Sequence, residues 1–219
     1  MSERACPLCG SPLYGWLKIP DPSTRPTVGA PVADDGARVL DRCEDCGAGV
    51  EAGGGPVDLQ AELRAVQTTF GDGSPAVLAA NRTSWQASLG GEGWAAIDVH
   101  AGRLLLTPRS LALLVERTGA TLGEVGFPPM GANQRWMWQT LINGLTLHPN
   151  FAREVRAGRL RMANARSRLA FVADCIATVL AAPFVFLASF PLELIGALAR
   201  RGGAMVAPLE PPANPGRTD

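Results

Sequence analysis

Along the chain, apolar positions recur at helical spacing in one segment and bunch into short runs in others. Leu59, Leu63, Val66 and Phe70 fall on one face of a 3.6-residue period, and Asp58 can cap it, so a helix is predicted over 59–70. Gly71 to Pro75 reads as a turn, and Ala76 to Ala80 as a short buried strand that delivers Asn81. Leu104 to Leu106 reads as a second strand. Thr107 then stands at an N-cap with Pro108 at the first helical position, Leu111, Leu114 and Val115 on the buried face, and Gly119 at the end. Thr121 to Phe127 is predicted as a third strand, Trp136 to Leu145 as a helix, and Val39 to Arg42 as a strand further upstream. Cys175 to Leu192 is 18 residues without a charge, the threshold length for a bilayer-scale helix.

Composition narrows this to a loop-rich but folded chain. Of 219 residues, 47% are hydrophobic, which is enough for a core, while 25 Gly and 18 Pro interrupt the regular elements. Formal net charge is zero, so no global field draws nucleic acid, and the arginine-rich run before the apolar segment has no interleaved aromatics. The N-terminus carries no apolar segment of the secretory kind, which predicts cytosolic synthesis and reduced thiols.

Four of the five cysteines then change the picture. Cys6 and Cys9, and Cys43 and Cys46, each form a C-x-x-C-G unit. A two-residue gap lets both sulfurs of a pair reach one ion, and the following glycine permits the tight turn. Two such knuckles predict a closed tetrahedral site, structural Zn2+ chemistry, in a zinc-ribbon-like module over residues 1–50. Two disulfides or a redox pair are the other chemistry open to this pattern. The Pro-rich stretch between the knuckles, residues 20–31, reads as an exposed loop, residues 51–56 as a linker, and Cys175 as a small buried hydrophobe.

After the knuckles come N-x-x-S-W at Asn81 to Trp85, then a Gly, Trp94 and Asp98, then L-T-P-x-S-L around Thr107 and Pro108, then W-x-x-L-x-N ending at Asn143. This order resembles bacterial class I S-adenosylmethionine-dependent methyltransferases that carry an N-terminal zinc module and act on sugars or surface glycans. The matching positions are Asn81, Ser84, Trp85, Trp94, Asp98, Thr107, Pro108 and Gly119; the tail from Pro191 to Ala207 looks like the family's closing Glu and Arg-Gly-Gly strand. The resemblance covers roughly 1–50 and 76–207. It implies an α/β, Rossmann-type domain over 57–165, truncated relative to the family, with an apolar helical tail and closing strand over 166–207 and a disordered end at 208–219.

The cofactor half of such an enzyme is missing. Three crossovers of a doubly wound sheet need about 90 residues, and only about 30 lie between Gly47 and Ala76. No Gly-rich turn follows an apolar strand, so S-adenosylmethionine is not expected as a cofactor. The histidine that the resemblance makes the general base falls on Gly102, while His100 stands two residues away, about 6–7 Å along a strand. No catalytic residue is therefore assigned. Asn81, Trp85, Trp94, Asp98 and His100 are read as a pocket remnant, with the tryptophans as core and Asp98 as a turn or cap, and His148 as a surface or capping residue.

Pro183 sits mid-way in the apolar tail, and arginines flank both ends: Arg153, Arg156, Arg159, Arg161, Arg166 and Arg168 upstream, Arg200 and Arg201 downstream. Arginine on both sides fits one span poorly. It fits better a shallow hairpin bent at Pro183 or an interfacial helix pair on anionic headgroups, or soluble packing on the sheet. The functional expectation is a degenerate, non-catalytic methyltransferase-like zinc protein that scaffolds a protein partner or a second copy of itself. It would act at the cytoplasmic membrane face where glycans are assembled. The alternatives are an active methyltransferase and a membrane-anchored interaction module.

Overall fold

In a computed structural model of the chain, the described residues are 4–20, 28, 37–53, 55–97, 102–148 and 150–210. Asp98, His100 and residues 211–219 lie outside them, as does most of the 20–31 loop. The first sheet is antiparallel, in the order β1 (Leu13–Pro20), β2 (Ala37–Cys43), β3 (Gly49–Ala52), β6 (Leu104–Leu105). The second is β4 (Gln67–Thr69), β5 (Pro75–Ala80), β8 (Ala204–Glu210), β7 (Thr121–Leu122), also antiparallel. Among the described residues, six α-helices join these strands: α1 (Leu59–Val66), α2 (Trp85–Gly90), α3 (Pro108–Arg117), α4 (Ala132–Asn143), α5 (Phe151–Arg156) and α6 (Ala165–Leu198).

The mixed α/β class matches the sequence pattern, and both sheets are antiparallel where the resemblance implied a truncated Rossmann-type domain. Every named strand pair is antiparallel; a single parallel bridge, Asn81 with Leu106, links the ends of β5 and β6. Antiparallel pairing needs no crossover helix, so a short chain can form it where it could not wind a parallel sheet. β6 adds to the knuckle-bearing sheet, so the expected break after residue 50 is bridged by hydrogen bonds. One core cluster runs through both sheets, from Leu8, Cys43 and Val50 through Leu63 and Leu111 to Met205. Glu51 and Ala52, expected in a linker, belong to β3.

Several local expectations are corrected. α1 ends at Val66, not at Phe70, because Gln67, Thr68 and Thr69 pair with β5 across a hairpin. Two threonines favour the strand. The Asp72 carboxylate accepts from the Ser74 backbone at 2.9 Å, and Gly73 takes a φ of 84° to close the turn. The strand predicted over 121–127 shrinks to Thr121 and Leu122, with one further bridge from Gly126 to Val206. Pro208 to Glu210, placed in a disordered end, complete β8. The helix from Thr107 forms as the sequence predicts: Ser110 N–H donates to the Thr107 hydroxyl at 3.1 Å, Thr107 N–H donates to the Ser110 hydroxyl at 2.7 Å, and Gly119 follows at a φ of 80°.

The largest correction concerns the tail. α6 is one 34-residue helix running unbroken through Pro183 and Pro191, so there is no hairpin at Pro183. Asn164 caps it, accepting from Ser167 N–H at 2.9 Å. It packs chiefly on α4. Cys175 is partly exposed on it rather than buried. His148, expected as a surface or capping residue, is buried; its backbone N–H and that of Leu147 donate to the Asp174 carboxylate on α6 at 3.1 and 2.7 Å.

Candidate functional site

Two features of the molecule carry chemistry, and the first is the cysteine cluster. Each knuckle folds by the same local device. Gly10 N–H donates to Cys6 C=O at 2.9 Å and Gly47 N–H to Cys43 C=O at 3.1 Å, with both glycines at positive φ, 83° and 75°. That conformation is costly for any residue with a Cβ. The β1–β2 hairpin then brings residues 34 and 40 positions apart together. Cys6 and Cys46 sulfurs lie 3.6 Å apart, Cys9 and Cys43 sulfurs 3.4 Å apart, and all four fall within 4.8 Å of one another.

A tetrahedral ion with metal–sulfur bonds of about 2.3 Å requires sulfur–sulfur edges of about 3.8 Å, so the spacing fits such an ion. It is far longer than a disulfide bond of about 2.05 Å. Three of the four thiols are buried and Cys9 partly so. A hydrogen bond from Cys46 draws the Cys6 thiol down to about 5, and the same contact, with burial, pushes Cys46 up. The arrangement can hold one metal ion. It offers four protein ligands to that ion, the number a tetrahedral site takes.

Contacts that the sequence did not signal brace the second knuckle. The Thr107 hydroxyl, besides capping α3, donates to Cys46 C=O at 2.8 Å. Arg82 Nε donates to Gly47 C=O, and its guanidinium lies 5.0 Å from the Trp16 ring centroid. Burial, with Arg42 nearby, lowers the Arg82 pKa. Arg109 donates to Asp45 at 3.0 Å. A cation beside a cluster that gathers thiolate charge offsets part of that charge.

The segment read as a pocket remnant is divided. Asn81 is fully buried. Its amide donates to Gly202 C=O at 3.0 Å, and its oxygen accepts from the Thr83 backbone at 3.0 Å and hydroxyl at 2.7 Å. Trp94 is buried in a second core cluster with Ile19, Leu40 and Ile97, and Trp85 is half-buried at the start of α2. Asp98 and His100 lie outside the described residues. The structure thus places Asn81 and Trp94 in roles that hold the fold. A cleft of about 490 Å3 is lined by Arg4, Asp41, Val50, Glu51 and Arg103 among others, and within it Arg4 pairs with Asp41 at 3.0 Å.

The second feature is α6, whose burial is inside out. Its buried residues are Ser167, Asp174, Ser189, Glu193 and Gly196. Each polar one is engaged: Ser189 Oγ accepts from Gln134 at 2.9 Å, Glu193 accepts from Gln86 at 2.6 Å, and Asp174 holds the 147–148 turn. The outer face carries Leu169, Val172, Ile176, Val179, Leu180, Phe184, Phe186, Leu187, Leu194, Ile195 and Leu198, with Phe184 74% and Leu198 77% exposed. At 100° per residue these span an arc of about 180°. Only 11% of the most apolar 18-residue window is buried. Leu145 and Leu147, beside the Asp174 anchor, are exposed as well.

No known protein family, curated protein or solved structure matches this chain.

Proposed function

We propose that this chain is a zinc-stapled module that docks on a membrane surface through the outer face of α6 and serves in binding rather than catalysis. The observation that carries the reading is the inverted helix: polar side chains face the protein and large aliphatic and aromatic ones face out. In water each such side chain forgoes roughly 1.5–3 kcal/mol of burial. Lipid is a medium in which that pattern is favourable, and monomeric soluble proteins rarely expose a patch of this extent.

The helix lies in the membrane surface in this reading and does not cross it. α6 is about 51 Å long, more than a hydrocarbon core of about 30 Å. It is also tied to the body at Asp174, Ala182, Ser189 and Glu193, that is, along most of its length. A crossing would carry α4, with exposed Arg135, into hydrocarbon, at about 2.5–3.5 kcal/mol for the arginine alone. Floating on its outer face, α6 needs no such transfer.

The donor set supports zinc as the ion, since four thiolates in a closed tetrahedral array are its structural habit. The motif likeness to methyltransferases does not lead to a methyl-transfer reading. A cofactor cleft of that class opens at the carboxyl ends of parallel strands, and the strands here pair antiparallel. The polar handles of Asn81 are consumed by backbone partners.

Sedimentation of the zinc-loaded full chain with liposomes tests the docking. The chain should pellet with lipid, and Leu180→Glu with Phe184→Glu should release it while circular dichroism and metal content stay unchanged. A chain that remains in the supernatant at every lipid concentration, as a detergent-free monomer, would refute the reading.

A further inference from the structure

The zero net charge of the chain conceals a segregation. Residues 144–210 contain eight arginines, no lysine and four acids. Three of those acids, Glu154, Asp174 and Glu193, are buried. Glu154 takes up Arg153 at 3.2 Å and Arg159 at 2.7 Å, and Arg200 pairs with Glu124 at 2.9 Å. Arg156, Arg161, Arg166 and Arg168 are exposed in the stretch that leads into α6 and its first turn. No exposed acid lies among the described residues from 144 to 209.

The helix geometry aims this charge. Arg166 and Arg168 lie about 160° apart around the axis, near opposite margins of the apolar arc that begins with Leu169. Long arginine side chains at the margin of an apolar face can lay their stems along it and raise their guanidinium groups to the level of phosphates. That is the pattern of an interfacial helix with a cationic rim. The breadth of the arc also separates two occupants. A second copy of α6 would cover a narrow seam, whereas about half the circumference is apolar here.

We infer that the docking face selects anionic lipid, with Arg166 and Arg168 engaging the headgroup phosphates at the amino-terminal end of α6. This inference rests on the membrane-surface reading above and adds the chemistry of the lipid. A basic residue near an anionic surface contributes about 1 kcal/mol, so each arginine should change the partition coefficient about fivefold.

The experiment is partitioning of the zinc-loaded full chain onto two kinds of vesicle, phosphatidylcholine alone and phosphatidylcholine mixed with phosphatidylglycerol, at low and high salt. The chain should prefer the mixed vesicles, and high salt should weaken that preference. Arg166→Gln with Arg168→Gln should weaken binding to the mixed vesicles about twenty-five-fold and leave binding to phosphatidylcholine unchanged. Lysine at both positions should keep most of the preference. Equal binding to both vesicles, or a preference untouched by the glutamine pair, overturns the anionic selectivity and leaves the docking reading standing. Binding to neither overturns both. A stable dimer that ignores lipid would instead assign the face to a second copy. Both arginines are exposed, and unchanged circular dichroism and zinc content of the variants would confirm that binding, not folding, was altered.

Discussion

Gln86 Nε2 donates to Glu193 Oε1 at 2.6 Å, joining α2 to α6 across 107 residues of sequence. The same amide nitrogen donates to Asn133 C=O at 2.8 Å, so one side chain ties α2, α4 and α6 together. Glu193 is 1% exposed, and its removal from water holds its carboxyl above the usual range. Gln86 Oε1 and Glu193 Oε2 are both buried without a hydrogen-bond partner.

Glu193→Gln, which mimics the protonated acid, should change stability little at the acidic end of the range, while Glu193→Ala, which strands the Gln86 amide, should cost about 1–3 kcal/mol. The folded-state pKa of Glu193 is raised, so its contribution is full below the unfolded value and is lost as pH rises through the folded one. Urea titrations from pH 4 upward should show this loss in the parent chain, and a flatter profile in Glu193→Gln.

Gly203 makes room for that amide. A Cβ at this position would stand 2.3 Å from Gln86 Cδ, and Gln86 cannot swing aside without breaking both its hydrogen bonds. Gly203→Ala should destabilise by about 1–3 kcal/mol. Adding Gln86→Ala should cost less in that background than in the parent, a non-additivity that a double-mutant cycle measures.

The metal prediction is stoichiometric. The purified chain should carry one zinc, measured by elemental analysis, and Cys43→Ser should lose both the ion and cooperative unfolding of the first sheet. Cys175→Ser, remote from the cluster on α6, should change neither. Thr107→Val removes the α3 cap and the bond to Cys46 C=O together. It should cost about 1–2 kcal/mol and speed zinc loss to a chelator.

His148 sets an opposite pH dependence. Its burial lowers its pKa, against the pull of Glu154 and Asp174. The folded chain thus holds a neutral imidazole where the unfolded chain takes up a proton, and stability should fall as pH drops below about 6.5. His148→Gln should remove that slope in thermal melts between pH 7 and 5. A slope unchanged by the substitution would show that another group carries it.

The cysteine knuckles were legible because their information is local: two-residue gaps and a glycine at a fixed offset suffice to bring each sulfur pair together. The capping of α3 by Thr107 and the strand ending at Asn81 were legible for the same reason. Helix length after Val66 was not, because Gln67 to Thr69 obey a strand partner that begins only at Pro75. Nor was the direction of pairing in the sheets, since a short apolar run looks alike beside a parallel or an antiparallel neighbour.

The tail divides the two kinds of information most sharply. Sequence alone determined that residues 175–192 are apolar, uncharged and bracketed by Asp174 and Glu193. It offered a bend at Pro183, where a helix interior loses about 3 kcal/mol, as one reading beside packing on the sheet. Tertiary structure decided otherwise, because the anchors Asp174 and Ala182 before that proline, and Ser189 and Glu193 after it, hold both halves on one body. Those anchors also fixed which side faces out. Hydrophobicity is a property each residue brings with it, whereas orientation depends on the partners of Asp174 and Glu193, which lie 26 and 107 residues away in the chain.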